Sequence, residues 1–492
     1  MSNRHMMSSG SNLLLIKMLG MKSHIVDIRC SSLSEEDGGG AAAGAAQRLV
    51  WFSTRLAPAS LTANDLAACG RTWLDTVSVA VPGWREPAAL RALAYAEQLE
   101  GLGPGPGRAR LWGHPGASTM ELAALLNGVA AHVLDYDDVT SPMRGHPSVA
   151  LWPALMAIAE GRGLPGTRLP SAFIVGFEAI CKLSKAMAQP HYDRGWHATS
   201  SIGVIGAALA CCHLLELDLI QTSNALGLAV AQSGGTRQNF GTDAKSFQAG
   251  MCGAAAVRSA LLAEQGFDAS ASALDGPFGY TALYGNGESL AAVLSGLGDS
   301  PFELHASGVE VKQFPMCYAT HRAIDAVLSL RRDHGLTLQD VHRVDVETSA
   351  GGLTPLIHHR PSTGLQAKFS MEYAVAAALA DAGVHLSSFT EEAVHRPEII
   401  DFLSRVNATE CPGSLFPRFS LVRLHLVNGG VLERRVEVQH GAAADPLTND
   451  ELIEKAADCL RLGGSRADPR KLLSLAVGMH RHSAAVLLDS LM

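Results

Sequence analysis

Apolar side chains recur at helical spacing up to about residue 308. Thr62 with Asp65 three residues later predicts a helix start, because a Thr hydroxyl and an acid at this spacing cap the first turn. Ser118 with Glu121 predicts a second start of the same kind. The other periodic segments predict helices at 91–99, 153–160, 171–188, 200–215, 220–232, 250–265 and 288–296.

Beyond about residue 309 the pattern changes to alternation between apolar and polar side chains. Residues 341–348 alternate with a period of two, which predicts a β-strand. Two further alternating runs flank Asn428-Gly-Gly, and this turn chemistry predicts a β-hairpin. A helical segment at 369–379 lies between these strands, and a capping pattern at Thr448 predicts a return to helix.

These patterns predict a mostly α-helical chain that carries one smaller α+β domain. The first 45 residues lack the order of regions found in a signal peptide, and we interpret them as a disordered tail or a targeting segment. The expected localisation is cytoplasmic, or mitochondrial if the tail is a transit peptide. The predicted divisions are the tail at 1–45, helical segments at 46–308 and 441–492, and the α+β domain at 309–440.

The composition argues against several functional classes. Of the 492 residues, 47% are hydrophobic and 17% are charged, which is typical of a packed protein and not of a disordered one. The formal net charge is −8 and no long basic run is present, so we expect no nucleic-acid and no membrane partner. Nine cysteines without a CxxC pair indicate reduced, buried thiols.

The most unusual stretch is 132–148, where carboxylates and histidines follow directly on an apolar helix. Charges next to apolar sequence are costly to bury, which indicates a structural or chemical use. Gly145 and Pro147 flank His146 and predict that this histidine lies on a fixed turn. One alternative is a hard-metal site with carboxylate and imidazole ligands from His132, Asp135, Asp137, Asp138 and His146.

Four further stretches place polar groups in apolar surroundings. His197 lies at the entry to a predicted buried helix, where free N–H groups favour an anion. Lys245 lies beside an apolar helix, and Lys312 lies at the boundary between the predicted domains, where clefts form. Lys368 and Tyr373 belong to the fourth stretch. The lysines favour binding of substrate carboxylates by protein cations over a metal site.

Taken together, these stretches resemble the MmgE/PrpD family, which includes 2-methylcitrate dehydratase, cis-aconitate decarboxylase and iminodisuccinate epimerase. The resemblance rests on Asp135-Tyr-Asp-Asp, Gly-His146-Pro-Ser, Gly-Trp-His197 and Lys245, in this order, and extends from about Trp51 to the C-terminus. It implies a large all-helical domain built from both chain ends, with a smaller α+β lid domain inserted. It also implies a homodimer and no cofactor.

The resemblance implies a lyase that acts on a small di- or tricarboxylate by proton transfer next to a carboxylate. In this hypothesis His146 transfers the proton, and Asp135 orients the ring and raises its pKa. Tyr373 either donates to a substrate carboxylate or is a second proton donor. An isomerase of the iminodisuccinate epimerase type and a catalytically inert member with a binding role stay open as alternatives. The implied catalytic residues are His146, Asp135 and Tyr373, and the implied substrate-binding residues are His197, Lys245 and Lys312.

Single positions bear on these alternatives. Val139 stands where the family's decarboxylases carry Thr, and Cys317 stands where its methylcitrate dehydratases carry Glu. The second difference weakens the dehydratase alternative. The sequence around Met143, Asn239 and Cys317 is most similar to iminodisuccinate epimerase.

Overall fold

The computed structural model describes residues 44–100, 102–285 and 290–491. The predicted tail therefore lies outside the described residues except at its last two positions, and 288–289 of the helix predicted at 288–296 lie outside them as well. Within the described part the fold class is confirmed, because helices dominate and both sheets are small. No helix of this part combines the length and the apolar character that a membrane span requires.

The first helical segment contains most of the long helices and one short two-stranded sheet. Its elements are α1 (Ala45–Arg55), α2 (Ala63–Gly83), α3 (Pro87–Glu100), β1 (Arg108–Arg110), β2 (Ala117–Thr119), α4 (Met120–His132), α5 (Pro147–Gly161), α6 (Leu169–Asp193), α7 (Ala198–Ser201), α8 (Gly203–Leu214), α9 (Leu219–Ala231), α10 (Asp243–Glu264), α11 (Tyr280–Tyr284), α12 (Leu290–Val293) and α13 (Glu303–Ala306).

The α+β part follows, and the chain then returns to helix. The elements are α14 (His321–His334), β3 (Val341–Thr348), α15 (Gly364–Ala367), α16 (Met371–Asp381), α17 (Glu391–Val394), α18 (Pro397–Leu403), β4 (Val406–Glu410), β5 (Ser420–Leu426), β6 (Val431–Val436), α19 (Asn449–Gly463), α20 (Pro469–Val477) and α21 (Ala484–Asp489).

Two hydrophobic cores organise the molecule. Buried apolar residues from 45–311 and from 447–491 form one core, so both ends of the described chain pack together. The second core is formed by residues within 314–424 together with Phe240. It packs against a four-stranded sheet of order β4-β3-β5-β6, in which β3 is parallel to β4 and antiparallel to β5. The predicted hairpin is confirmed, because β5 and β6 pair antiparallel around Asn428.

The backbones of α4 and α10 approach each other closely at two glycines. A Cβ added at Gly128 would lie 2.7 Å from the Cα of Gly250, and one added at Gly250 would lie 2.4 Å from the carbonyl oxygen of Leu125. Only glycine permits such an approach without displacing backbone. Because α4 ends at His132 and Lys245 lies in the first turn of α10, this contact fixes how close those two side chains come.

The structure corrects one predicted helix start. Ser118 does not cap α4, because it lies in β2 and the N-cap is Thr119, whose hydroxyl accepts from the Leu122 N–H. The acid of the predicted capping pattern, Glu121, instead pairs with Arg258. Ser118 and Thr119 both carry a hydroxyl group that could cap the helix. Because residues 117–119 pair with β1, the helix begins only after Thr119, which is therefore the N-cap.

Candidate active site

A cavity lies between the two cores. Its volume of about 110 Å³ is far more than a single water needs. Five of the six predicted site residues line it. Tyr373 does not: its ring is fully buried in the second core, and its hydroxyl donates to the Ser388 carbonyl. The five that the structure brings together are Asp135, His146, His197, Lys245 and Lys312.

Asp135 is held by two lysines. Lys245 Nζ donates to Oδ1 at 2.6 Å, and Lys312 Nζ donates to Oδ2 at 2.9 Å and to the backbone carbonyl at 2.7 Å. Asp135 also has a positive φ of 52°, a strained conformation of the kind that clusters at active sites. Burial raises the pKa of Asp135, but both ammonium groups outweigh it and hold the pKa well below its ordinary value.

Lys245 also fixes the tautomer of His132. Its Nζ lies 2.8 Å from His132 Nε2, and an ammonium group can only donate. His132 Nε2 therefore accepts, and the proton of the neutral ring is on Nδ1. That Nδ1–H donates to Asp137 Oδ2 at 2.8 Å. One ammonium group thus links Asp135 to Asp137 through an imidazole.

Asp137, not Asp135, is the nearest carboxylate of His146. His146 Nδ1 lies 3.1 Å from Asp137 Oδ2, whereas His146 Nε2 lies 3.7 Å from Asp135 Oδ1. The sequence hypothesis assigns the orienting role to Asp135. The structure differs because both oxygens of Asp135 are engaged by lysines.

The pKa of His146 moves opposite to the expected direction. Burial lowers this pKa to about 4; the Asp137 carboxylate opposes the shift, and the ammonium group of Lys312 adds to it. The ring is fixed in place from the backbone, because His146 is the N-cap of α5, Pro147 is the first helical residue, and the His146 N–H donates to Thr199 Oγ1 at 3.1 Å. His146 is therefore a rigidly placed, neutral imidazole at neutral pH.

His197 is placed in the same way, as the N-cap of α7. Its Nδ1 lies 2.7 Å from Gln248 Oε1, and the Gln248 amide nitrogen donates to the Thr236 carbonyl at 3.2 Å, which fixes the amide orientation. The His197 proton is therefore on Nδ1, and the buried Nε2 has no partner in the described part of the chain. Burial holds the pKa of His197 well below its ordinary value. Binding of a carboxylate by Nε2 therefore requires that the ring takes up a proton.

Asp138 holds the loop between α4 and α5 in place. It accepts from the Ser148 hydroxyl and from the Ser148 N–H at 3.3 Å, which ties the loop to the first turn of α5. Burial raises the pKa of Asp138 well above its ordinary value, and the negative charge of Asp75 adds to the rise.

Arginines complete the cavity, and sequence reasoning missed them. Arg144 lies next to the Gly-His-Pro turn, and its guanidinium lies 3.7 Å from the ring centre of Tyr192. Arg322 and Arg418 come from separate segments of the α+β part and carry no local signal that links them to the site. The cavity is consequently lined by five cationic side chains and two carboxylates: Arg144, Lys245, Lys312, Arg322 and Arg418 against Asp135 and Glu310.

The metal alternative fits part of the geometry but not the electrostatics. His132, Asp135 and His146 each offer a donor atom, and these atoms lie within 4.8 Å of one another. However, Lys245 Nζ already donates to His132 and Asp135, and Lys312 Nζ engages the second oxygen of Asp135. The ammonium groups take the place that a divalent cation would need, and their charges oppose its binding.

Comparisons with known proteins give consistent results. The family model for the MmgE/PrpD N-terminal domain matches residues 47–292, and the model for the MmgE/PrpD C-terminal domain matches residues 314–477. Cis-aconitate decarboxylase of Homo sapiens is 29% identical over 385 residues, which are 74% of this chain and 76% of that protein. Cis-aconitate decarboxylase of Aspergillus terreus is 25% identical over 475 residues, which are 90% of this chain and 94% of that protein.

Proposed function

Because this chain belongs to the MmgE/PrpD family, we propose that it is a cofactor-independent lyase that decarboxylates a small tricarboxylate of the cis-aconitate type. The observation that carries the proposal is the convergence of Lys245, Lys312 and His146 on one buried cavity. The names of the similar proteins favour decarboxylation over the dehydratase and epimerase alternatives.

The reaction places definite demands on such a site. In cis-aconitate the bond between the methylene carbon and its carboxylate breaks, carbon dioxide leaves, and the electron pair forms a new double bond to the central carbon. The electrons of the former double bond move to its far carbon, which then takes up a proton, giving 2-methylidenebutanedioate. The site must therefore stabilise negative charge and deliver one proton.

The two lysines supply the charge stabilisation. An ammonium group has three N–H donors. Lys245 uses two of them on Asp135 and His132, and Lys312 uses two on the carboxylate and carbonyl of Asp135. Each lysine therefore retains one donor for a substrate carboxylate, in a direction that Asp135 fixes. This arrangement is preorganised, and charge stabilisation of this kind is a large term in catalysis.

His146 supplies the proton through Nε2. Its Nδ1 lies 3.1 Å from Asp137 Oδ2, and this negative charge stabilises the protonated form of the ring although the contact lacks hydrogen-bond geometry. A bound trianion raises the pKa of His146 above its value of about 4 in the empty site, because a nearby negative charge favours the imidazolium. His146 is therefore protonated, and able to donate, when the substrate is bound.

A substrate panel tests the proposal. Purified protein is incubated with cis-aconitate, 2-methylcitrate, iminodisuccinate and citrate, and carbon dioxide, alkene products and solvent-deuterium exchange are measured. We expect carbon dioxide release from cis-aconitate. Alkene formation without carbon dioxide would indicate the dehydratase, exchange alone would indicate the epimerase, and no reaction with any of the four would indicate the inert alternative.

A further inference from the structure

Two guanidinium groups of the α+β part line the cavity, and neither has a carboxylate partner among the described residues. Arg322 lies in the first turn of α14, and Arg418 lies two residues before β5. In the described part of the chain, neither forms an ion pair with an Asp or Glu side chain within 4.0 Å. Arg322 Nε donates to the Glu437 carbonyl at 2.8 Å, which holds the guanidinium in place. Arg418 Nε is buried and has no hydrogen-bond partner among the described residues.

A buried, charged donor without a partner costs free energy, and native proteins rarely leave one unsatisfied. Burial lowers the pKa of both Arg322 and Arg418, but arginine stays charged at neutral pH. Arg418 therefore brings a charged donor, its Nε, to the cavity lining, and this donor has no hydrogen-bond partner among the described residues.

Among the described residues, Glu310 forms no ion pair with either arginine. It is the acidic side chain whose charge acts on both Arg322 and Arg418, but it already accepts from the Ser141 hydroxyl. Its backbone is fixed as well, because Glu310 and Val139 exchange N–H to carbonyl hydrogen bonds at 2.8 and 3.0 Å. One fixed carboxylate beside two guanidinium groups leaves a net positive site.

Building on the proposed function, we infer that Arg322 and Arg418 bind the substrate carboxylate that the two lysines do not hold, and so select tricarboxylates over dicarboxylates. The planar guanidinium suits a carboxylate, which can accept two parallel hydrogen bonds. The charge of the cavity lining is consistent with a tricarboxylate. Five cationic side chains and two carboxylates leave an excess of three positive charges, which matches the charge of a trianion. A substrate held this way bridges both parts of the chain.

Binding measurements separate this inference from the reaction itself. The ligands are propane-1,2,3-tricarboxylate and pentanedioate, which lacks the third carboxylate, and calorimetry gives their affinities for wild type, Arg418→Gln, Arg322→Gln and Arg418→Lys. We expect each Gln variant to lose about 10-fold or more in affinity for the tricarboxylate, and less than about 3-fold for the dicarboxylate. Arg418→Lys should recover part of the loss. Arg434→Gln, on exposed β6, is the matched control and should change neither affinity.

Equal losses for both ligands, or no loss for either, would overturn the inference. Turnover gives an independent reading: the Gln variants should raise KM for cis-aconitate more than they lower kcat. If wild type prefers the tricarboxylate through these arginines but releases no carbon dioxide from cis-aconitate, the proposed function fails and this inference stands. If wild type decarboxylates cis-aconitate and the variants leave KM unchanged, the inference fails and the function stands.

Discussion

In the proposed reaction, proton transfer depends on the side chain of His146. Replacing it with alanine removes Nε2, the only atom in this account that delivers the proton. We expect His146→Ala to lower kcat by about 10²-fold or more, the usual contribution of a general acid. His342→Ala, at an exposed position of β3, is the control and should keep full activity. Near-full turnover by His146→Ala on each active substrate would remove His146 from the mechanism.

In the proposed reaction, Asp137 is a positioning residue that acts through His146. In Asp137→Asn the side chain keeps its size but loses the charge that stabilises the imidazolium. We predict a fall in kcat of about 10-fold or more with little change in KM, together with a lower pKa for the catalytic acid in the pH profile of kcat. An unchanged pH profile with a large rise in KM would show instead that Asp137 serves substrate binding.

The histidines predict proton uptake on substrate binding. The pKa of His146 is about 4 and that of His197 lies well below its ordinary value, so both rings are neutral in the free protein at pH 7. A bound trianion raises both values. Calorimetry of propane-1,2,3-tricarboxylate binding in two buffers of different ionisation enthalpy should show protons taken up from the buffer. A binding enthalpy that is independent of the buffer would contradict proton uptake.

The same protonation predicts the pH dependence of turnover. The value of kcat should fall as pH rises through the pKa of His146 in the substrate complex, since the protonated donor is lost.

At the scale of elements, the contact between α4 and α10 determines the geometry of the site. In Gly250→Ala the added methyl would lie 2.4 Å from the Leu125 carbonyl, so the two helices must separate. We expect a loss of roughly 1–3 kcal/mol of unfolding free energy and reduced activity, because Lys245 moves away from His132. Gly253→Ala is the matched control on the same helix: its methyl would meet Ala124 at 3.5 Å, an ordinary contact. Both properties are measured by urea unfolding and steady-state kinetics.

If Gly250→Ala matched Gly253→Ala in stability and activity, the close approach would have no functional role.

The same helix shows why sequence patterns misplace boundaries. Apolar periodicity predicted its start at 250, but α10 begins at Asp243, almost two turns earlier. The first two turns of α10 contain polar residues, among them Lys245, which lines the cavity. A polar helix end lacks the apolar periodicity from which a helix is predicted.

At the scale of the whole molecule, the sequence predicts most of the residues that meet at the cavity but not how they bond. Five residues from distant segments converge on the cavity, as their ordered motifs implied. The partner of His146 could not be predicted, because Asp135 and Asp137 are both near it in sequence and only the lysines' positions decide between them. Arg418 was missed because its role arises from packing of the two parts of the chain, and Tyr373 was included although its hydroxyl satisfies a backbone carbonyl in the second core.

The central claim is that this protein decarboxylates cis-aconitate without a metal, with one proton delivered by a protein side chain. The most direct test is turnover of cis-aconitate in D₂O by protein dialysed against a chelator, followed by NMR of the product. We predict one carbon dioxide per substrate and a 2-methylidenebutanedioate that carries one deuterium, on its saturated carbon. Loss of carbon dioxide release after dialysis with recovery by added metal, or a product without solvent deuterium at that carbon, would contradict the account.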